Sequence, residues 1–523
     1  MLFFFIICCF SLLSFIVIFS DSALDILSIV SSNIFLNFSL NFSYTSIFFY
    51  FMLIFCSFIS LNFSNHYFNW SGNNLNKLIL LFLLVMFALV ITNDLMLSLI
   101  FWEYLGFVSF ILILYYSNYD TLFAANATLI TSRLGDCGLF FLIAYFLNSG
   151  LYAGLYILIL VALIVVTKSA IFPLSSWLLE AMRAPTPVSS LVHSSTLVTA
   201  GVWFLLNYGW LIIQIVGDTL IYLSLISIIL SALGAVYYKD LKKIIALSTC
   251  NNVSWCIVYY IFGCEFLCLV QLVTHGIAKC SLFICIGDLL SCSYGSQNYM
   301  SLVSVVNNSK FNWLANIILV FLVCGVPLNG VYFSKHLLLI SINHNVNIFV
   351  CILLFVGVFL SYCYSGRLVS MVSYNNFFIS NNLNNIFYLM ASLVVLGSLF
   401  NGIFVWNSLE LGELSCLISS FLIFIQLGGL FIGYLLANVN NNSNFISIFL
   451  GQDLLLRLFS SIYMLNIGLY NVLVNFRFEV YVVTELILFK AKFINNSVIL
   501  LGNSLVVFLF LLCFFIIFGF SII

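Results

Sequence analysis

Ionisable side chains stand inside long apolar runs of this chain, where each one needs a reason. A charged group near the centre of a bilayer costs about 2.5–3.5 kcal/mol on insertion scales. The candidates are Glu103 in "FWEYLGFVSF", Arg133 and Asp136 in "SRLGDCG", Lys168 in "VTKSAIFPLSSW", His193 in "APTPVSSLVHSSTLVTAG", His275 and Lys279 in "VTHGIAKCSLF", and Lys335 in "GVPLNGVYFSKH". Proton-exchanging groups spread over six apolar segments predict a proton relay.

Local spacing assigns some partners. Arg133 and Asp136 stand three residues apart, so they can pair on one helix face; a purely structural ion pair and a tuning role both stay open. Glu103 has no basic residue within two turns, so its partner must come from another helix. His275 and Lys279 are four residues apart and share a helix face.

Unpaired cations are the strongest sign of proton chemistry. Lys168 and Lys279 have no acid within four residues, and a lysine buried without a counter-ion can exchange a proton near neutral pH. His193 taken alone is more simply a hydrogen-bonded core residue. The whole set could also be unrelated contacts that hold helices together.

All four prolines of the chain lie near these charges: Pro173, Pro185, Pro187 and Pro327. A proline inside a helix removes a backbone donor and kinks or breaks the helix. Broken helices at membrane depth line polar cavities, and transporters use them to build ion sites. Breaks and charges coincide near Lys168 and again near Lys335, which suggests two related modules.

Composition identifies the solvent of this chain as lipid. It is 64% hydrophobic and 6% charged, with a mean hydropathy of +1.23, whereas soluble domains carry about 25% charged residues. The sixteen cysteines contain no C-x-x-C pair and are expected to act as small hydrophobes. We find no nucleotide, haem or phosphate-binding motif, so any redox chemistry is expected in partner proteins.

Apolar runs predict an all-α, polytopic membrane protein with 15–16 transmembrane helices. The first lysine or arginine is Lys77, so residues 2–20 are expected to form a retained span rather than a signal peptide. Basic connections fall on one face, which predicts the matrix or cytoplasmic side. The predicted parts are N-terminal helices 1–94, modules 95–236 and 237–371, C-terminal helices 372–440, a lateral amphipathic helix 441–497 and a terminal anchor 498–523.

Several of these blocks together resemble the antiporter-like membrane subunits of respiratory complex I. They are "FWEYLGFVSFILI", "SRLGDCG", "IFPLSSWLLEAMRAPTPVSSLVHSSTLVTAG", "YYKDLKKIIALST", "THGIAKCSLF" and "GVPLNGVYFSK", within about residues 95–340. Lys335 and the extension at 450–522 favour the distal member of that set.

The resemblance implies a role for each site residue. Glu103 would pair with Lys168 at the first broken helix, and His193 and His275 would lead to Lys279. Lys335 would face the proton exit at the second broken helix. Arg133 and Asp136 would modulate the first site, and Pro173 and Pro327 would mark the two breaks.

The resemblance also implies cofactors, partners and location. Flavin, iron–sulfur clusters and ubiquinone would be bound by partner subunits and none by this chain. The partners would be other complex I subunits, especially the adjacent antiporter-like chain 4 and the subunits under the lateral helix, together with membrane lipids and protons but no nucleic acid. The location would be the mitochondrial inner membrane.

The sequence departs from the family pattern at three places. Gln271 replaces a histidine one turn before His275, His336 replaces an acid after Lys335, and the region before Glu103 is short enough to lack one helix. Two alternatives stay open. One is a subunit of a multisubunit cation/proton antiporter, against which the lateral extension argues. The other is a scaffold without transport, against which the retained buried charges argue.

Overall fold

The computed structural model describes residues 43–68, 73–149, 155–209, 214–292, 297, 310–325, 330–342, 347–373 and 416–436. These residues form helices joined by short connections. The helices are α1 Tyr44–Tyr67, α2 Asn73–Ile91, α3 Leu95–Ile113, α4 Tyr119–Ser149, α5 Leu155–Lys168, α6 Ser176–Ala181, α7 Thr186–Val188, α8 Thr199–Tyr208, α9 Gln214–Tyr237, α10 Leu241–Ile261, α11 Glu265–Cys292, α12 Lys310–Cys324, α13 Gly330–Ile342, α14 Ile348–Ser373 and α15 Cys416–Leu436.

Within the described residues, ten helical segments are long and apolar enough to cross a membrane. The predicted spans at 2–20, 386–405 and 498–522 lie outside the described residues, as do the lateral helix and Pro327. Three other apolar runs that are predicted to be spans, 152–172, 312–324 and 326–342, correspond to α5, α12 and α13, each of which borders residues outside the described part.

The chain makes an irregular turn at the end of α5. α5 ends at Lys168, and Ala170 follows with φ 53° before a cis peptide bond at Pro173. The loose carbonyls of the helix end find side-chain partners: Trp177 Nε1 donates to Thr167 O at 3.0 Å, and Cys250 Sγ contacts Ala170 O at 2.9 Å. The predicted break near Lys168 is therefore present, and its polar backbone is satisfied as burial requires.

The chain also leaves the helical conformation at the end of α12. α12 ends at Cys324, and Gly325 follows with φ 88°, a left-handed conformation that glycine adopts without a steric penalty. Tyr362 OH donates to the Gly325 carbonyl oxygen. The next described helix is α13, so the apolar run is interrupted at Gly325.

The core of the described part lies around three segments. All residues in an apolar 18-residue stretch of Thr186–Tyr208 are buried, and 89% of the residues are buried in the corresponding stretches of α10 and α11. Within the first of these, Ser189–Thr196 is a π-helix between α7 and α8. α11 packs against α1, α10, α12, α13 and this π-helix. Three of the side chains predicted to carry protons, His193, His275 and Lys279, therefore sit on these innermost elements.

Candidate functional site

The first cluster joins α3, α4 and the end of α5. Glu103 forms an ion pair with Arg133, Arg133 Nη1 lies 3.4 Å from Asp136 Oδ2, and Asp136 Oδ1 lies 3.3 Å from Lys168 Nζ. The four charges thus form a continuous line from Glu103 to Lys168. The local Arg133–Asp136 pair and the interhelical partner of Glu103 agree with the prediction.

One implied pairing needs correction. The family pattern pairs Glu103 with Lys168, but here the ion-pair partner of Lys168 is Asp136. Arg133 is the reason, because its guanidinium takes the Glu103 carboxylate and also contacts Asp136. Asp136 is consequently a direct counter-ion of Lys168 rather than a remote modulator.

Lys168 is held at a helix end and against an aromatic ring. It is the last residue of α5 and 1% exposed. A cation there interacts favourably with the helix dipole. Its Nζ lies 5.0 Å from the centroid of Trp102, within the range of a cation–π contact. Gly106, one turn from Trp102, also lies beside this ammonium, where a Cβ would meet Nζ at 3.9 Å, an ordinary van der Waals distance.

His193 lies in the π-helix and is fully buried. Neither of its ring nitrogens has a hydrogen-bond partner in the part of the chain that the structure describes. The ring of Trp177 packs edge-on against it at 6.3 Å. Trp177 also donates to Thr167 O, so this tryptophan lies between the end of α5 and His193. No described residue therefore supplies the hydrogen bond that a purely structural role for His193 would need.

Lys279 is buried on α11 and held by neutral oxygens. Its Nζ donates to Ile245 O at 3.2 Å and contacts Ser248 Oγ. No ion pair to it occurs among the described residues. His275, one turn earlier, is 1% exposed, and both its ring nitrogens also lack a hydrogen-bond partner there.

Lys335 contacts the end of the preceding helix, α12. Its Nζ donates to Cys324 O, the last carbonyl of α12, at 3.0 Å and to Ser361 Oγ at 3.2 Å. The ammonium also lies 5.7 and 5.8 Å from the rings of Trp255 and Tyr362. Lys168 and Lys335 thus occupy similar sites by different routes, each at the carboxyl end of a broken helix.

The two substituted positions lie close to these groups. Gln271 is fully buried and accepts a hydrogen bond from Ser334 Oγ at 2.5 Å. His336 is half-buried and stacks on Tyr332 with ring centroids 5.7 Å apart.

Three buried ionisable residues were not predicted from the sequence. Arg367 on α14 donates to Ala235 O at 3.0 Å, and Lys242 donates to Ala184 O at 3.2 Å. Asp288 on α11 is 8% exposed. An arginine in the apolar run at 348–371 was a visible signal, whereas Lys242 was hidden within the basic stretch that begins α10. Lys242 fixes the carbonyl just before Pro185 and so ties the connection between α6 and α7 to α10.

Comparison with known proteins agrees with this architecture. The profile of the family described as NADH:quinone oxidoreductase/Mrp antiporter, TM, matches residues 92–361. NADH-ubiquinone oxidoreductase chain 5 of Caenorhabditis elegans is 36% identical over 71% of this chain and 72% of its own length. The Aedes aegypti chain 5 is 34% identical over 80% of this chain and 76% of its own.

Solved structures match the fold. A chain of the Mrp complex from Dietzia superposes with a TM-score of 0.66 at 19% identity over 88% of this chain, which spans only 56% of that chain's length. A chain of respiratory complex I from Thermus thermophilus gives 0.63 at 17% identity, covering 76% and 86% of the two chains. With the profile match and the relatives above 30% identity, this chain belongs to the antiporter-like membrane subunits of NADH:quinone oxidoreductase, among the chain 5 members of that family.

Proposed function

We propose that this chain, a proton-translocating membrane-arm subunit of complex I, moves protons through Glu103, Lys168, His193, His275, Lys279 and Lys335. The observation that carries the proposal is the burial of the lysines Lys168, Lys279 and Lys335, two of them at helix breaks. Asp136 is the one carboxylate paired with any of these lysines among the described residues. A buried lysine that has few or no counter-ions can give up and regain a proton when a nearby charge moves.

Arg133 is the group that would move charge at the first site. It contacts both Glu103 and Asp136. When Arg133 is drawn toward Glu103, Asp136 is left to stabilise protonated Lys168. When Arg133 is drawn toward Asp136, Lys168 loses its counter-ion and releases its proton toward His193. Coupled steps of this kind would link quinone reduction elsewhere in the complex to proton transfer here.

The partner surface is proposed from the same cluster. The Arg133 side chain is 40% exposed near the middle of the candidate span Tyr119–Ala144. A cation exposed to lipid at that depth is costly. We infer that the adjacent antiporter-like chain 4 covers this face of α3 and α4 in the assembled complex.

The remaining assignments follow from the family. The redox centres, flavin, iron–sulfur clusters and ubiquinone would be held by partner subunits, and the complex would lie in the mitochondrial inner membrane. The other partner subunits would lie under residues 441–497. This chain would contribute proton transfer and no electron transfer.

Replacement of Lys335 by alanine tests the proposal. We expect proton transfer through this chain to slow by about 100-fold or more, because a positioned proton carrier is lost. The measurement is protons pumped per NADH oxidised by the complete complex in sealed vesicles, with NADH oxidation under uncoupled conditions as the control. The Lys168→Ala variant should behave alike. Undiminished pumping in both variants would contradict the proposal.

A further inference from the structure

Buried polar groups lie along a path from Lys279 to the helical turn that carries Lys335, joined by hydrogen bonds and, at Ser248, by the residue itself. Lys279 Nζ contacts Ser248 Oγ, and Asn252 Nδ2 donates to Ser248 O at 3.1 Å. Gln271 Nε2 lies 3.4 Å from Asn252 Oδ1. Ser334 Oγ donates to Gln271 Oε1 at 2.5 Å, and the next residue is Lys335. Ser248, Asn252, Gln271 and Ser334 are all 0% exposed, so bulk solvent does not reach these contacts.

The direction of the path is fixed by one backbone group. The Ser248 carbonyl can only accept, so Asn252 must turn its amino group toward it and its oxygen toward Gln271. Gln271 must then present its own amino group to Asn252, which leaves its oxygen facing Ser334. Both amide dipoles therefore point the same way. Their positive ends lie toward the α10 groups that hold Lys279, and their negative ends lie toward α13, which carries Lys335.

An aligned amide pair affects charge without carrying protons. A neutral carboxamide has no titratable proton near neutral pH, so a proton does not pass through Gln271 or Asn252 by simple exchange. Fixed dipoles in a low-dielectric interior do stabilise charge at one end over the other. This pair favours positive charge at the α13 end and opposes its return toward Lys279.

Proton transfer along the same stretch is left to His275. Gln271, His275 and Lys279 follow each other at four-residue spacing and share one face of α11. Both lysines act electrostatically on the His275 ring, whose nitrogens are without hydrogen-bond partners in the described part of the chain. The titratable group and the oriented amide are thus neighbours on one helix, with separate tasks.

Resting on the proposed function, we infer that Gln271 is a positioning residue that gives the Lys279–Lys335 step its direction. It acts through the dipole it shares with Asn252 and through its hold on Ser334. Its loss should leave the forward step possible but make return of charge easier. The consequence is a complex that pumps freely at first and fails against an opposing gradient.

The test uses the complete complex in sealed vesicles with quinone. The Gln271→Met variant keeps side-chain length and removes both hydrogen bonds. The Gln271→His variant restores a donor on one ring nitrogen and an acceptor on the other. The Asn251→Ala variant is the matched control, because Asn251 is an equally buried amide on α10 that donates to Ile228 O, outside the path.

With Gln271→Met, we expect initial protons per NADH near the parent value and a sustained proton gradient at least about twofold smaller. Gln271→His should restore the gradient, and Asn251→Ala should match the parent. A parental gradient in Gln271→Met, or equal losses in the methionine and histidine variants, would overturn the inference. If Gln271→Met does not assemble, Asn252→Leu removes the other dipole and must give the same loss.

A Lys335→Ala complex in the same vesicles separates the two claims. If it pumps like the parent, the proposed function itself has failed. If it loses pumping while Gln271→Met and Asn252→Leu sustain the parental gradient, the relay stands and only the role of Gln271 is wrong.

Discussion

At the scale of single residues, the first cluster changes from exposed to buried along its length. The side chains of Arg133 and Glu103 are 40% and 23% exposed, whereas those of Asp136 and Lys168 are 3% and 1% exposed. Breaking a buried pair leaves an uncompensated charge and costs about 3–5 kcal/mol. The inner pair is therefore the part of the cluster on which the state of Lys168 depends.

This asymmetry predicts different outcomes for the two carboxylates. Asp136→Asn should reduce protons pumped per NADH more than Glu103→Gln does, because only Asp136 pairs directly with Lys168. Pumping by reconstituted complexes, normalised to assembled complex, is the measurement. Asp120→Asn is the control, since Asp120 pairs with Arg183 and is 80% exposed. A stronger effect of Glu103→Gln would restore the pairing that the family pattern implies.

The identity of these groups is readable from sequence, whereas their partners are not. Charged residues in apolar runs identify themselves, and Arg133 and Asp136 pair through their spacing on one helix. The partner of Lys168 depends on how α3, α4 and α5 are rotated against each other, which no local pattern specifies. The sequence likewise shows that Gln271 departs from the histidine of the family pattern. Its contacts with Asn252 and Ser334 depend on how α10, α11 and α13 pack, so they could not be predicted.

At the scale of elements, breaks create the lysine sites in two ways. Lys168 is the last residue of α5, whereas Lys335 stands on α13 and donates to Cys324 O, the last carbonyl of α12. Proline near Lys168 predicted the first break. The π-helix at Ser189–Thr196 was not predicted, because a π-turn has no simple residue signature. Its hydroxyl groups donate to carbonyls of their own helical segment, as Thr196 does to Leu191 O at 2.9 Å.

Close helix packing gives a prediction at this scale. Gly429 on α15 lies against the backbone of α14, where a Cβ would come within 2.8 Å of Phe359 O. The adjacent Gly428 has open space at the same point. Small residues four apart, here Gly429 and Gly433, allow such approach between membrane helices.

Gly429→Ala should therefore destabilise the chain by about 1–3 kcal/mol through overpacking, and Gly428→Ala should not. Thermal unfolding of the purified complex, followed by loss of this subunit from it, gives the comparison. Equal unfolding temperatures for the two variants would mean that α14 and α15 do not pack through these glycines.

At the scale of the whole molecule, composition alone established a polytopic helical membrane protein. Periodicity could not give the number of full spans, because an apolar run does not show that a helix ends within it, as α5 does at Lys168 and α12 at Cys324. Nor could it show which faces are covered. The α3–α4 face carries exposed Tyr104, Phe107 and Leu134 around the Arg133–Glu103 pair. The charged pair, rather than the apolar side chains around it, favours a contact with another membrane subunit, because lipid tails do not solvate charge.

Cys137 reports on that face directly. It stands one helical turn after Arg133, so it shares its side of α4, and it is exposed. If chain 4 covers the face, a lipid-soluble maleimide should modify Cys137 slowly in the assembled complex and several-fold faster after detergent dissociation. Peptide mass spectrometry measures the modification, and Cys137→Ser identifies the site. A cysteine placed at Phe424, 75% exposed on α15, gives a second position on another helix face. Equal modification of Cys137 in both states would show that this face meets lipid, and the half-exposed Arg133 would then need a lipid headgroup or water to satisfy it.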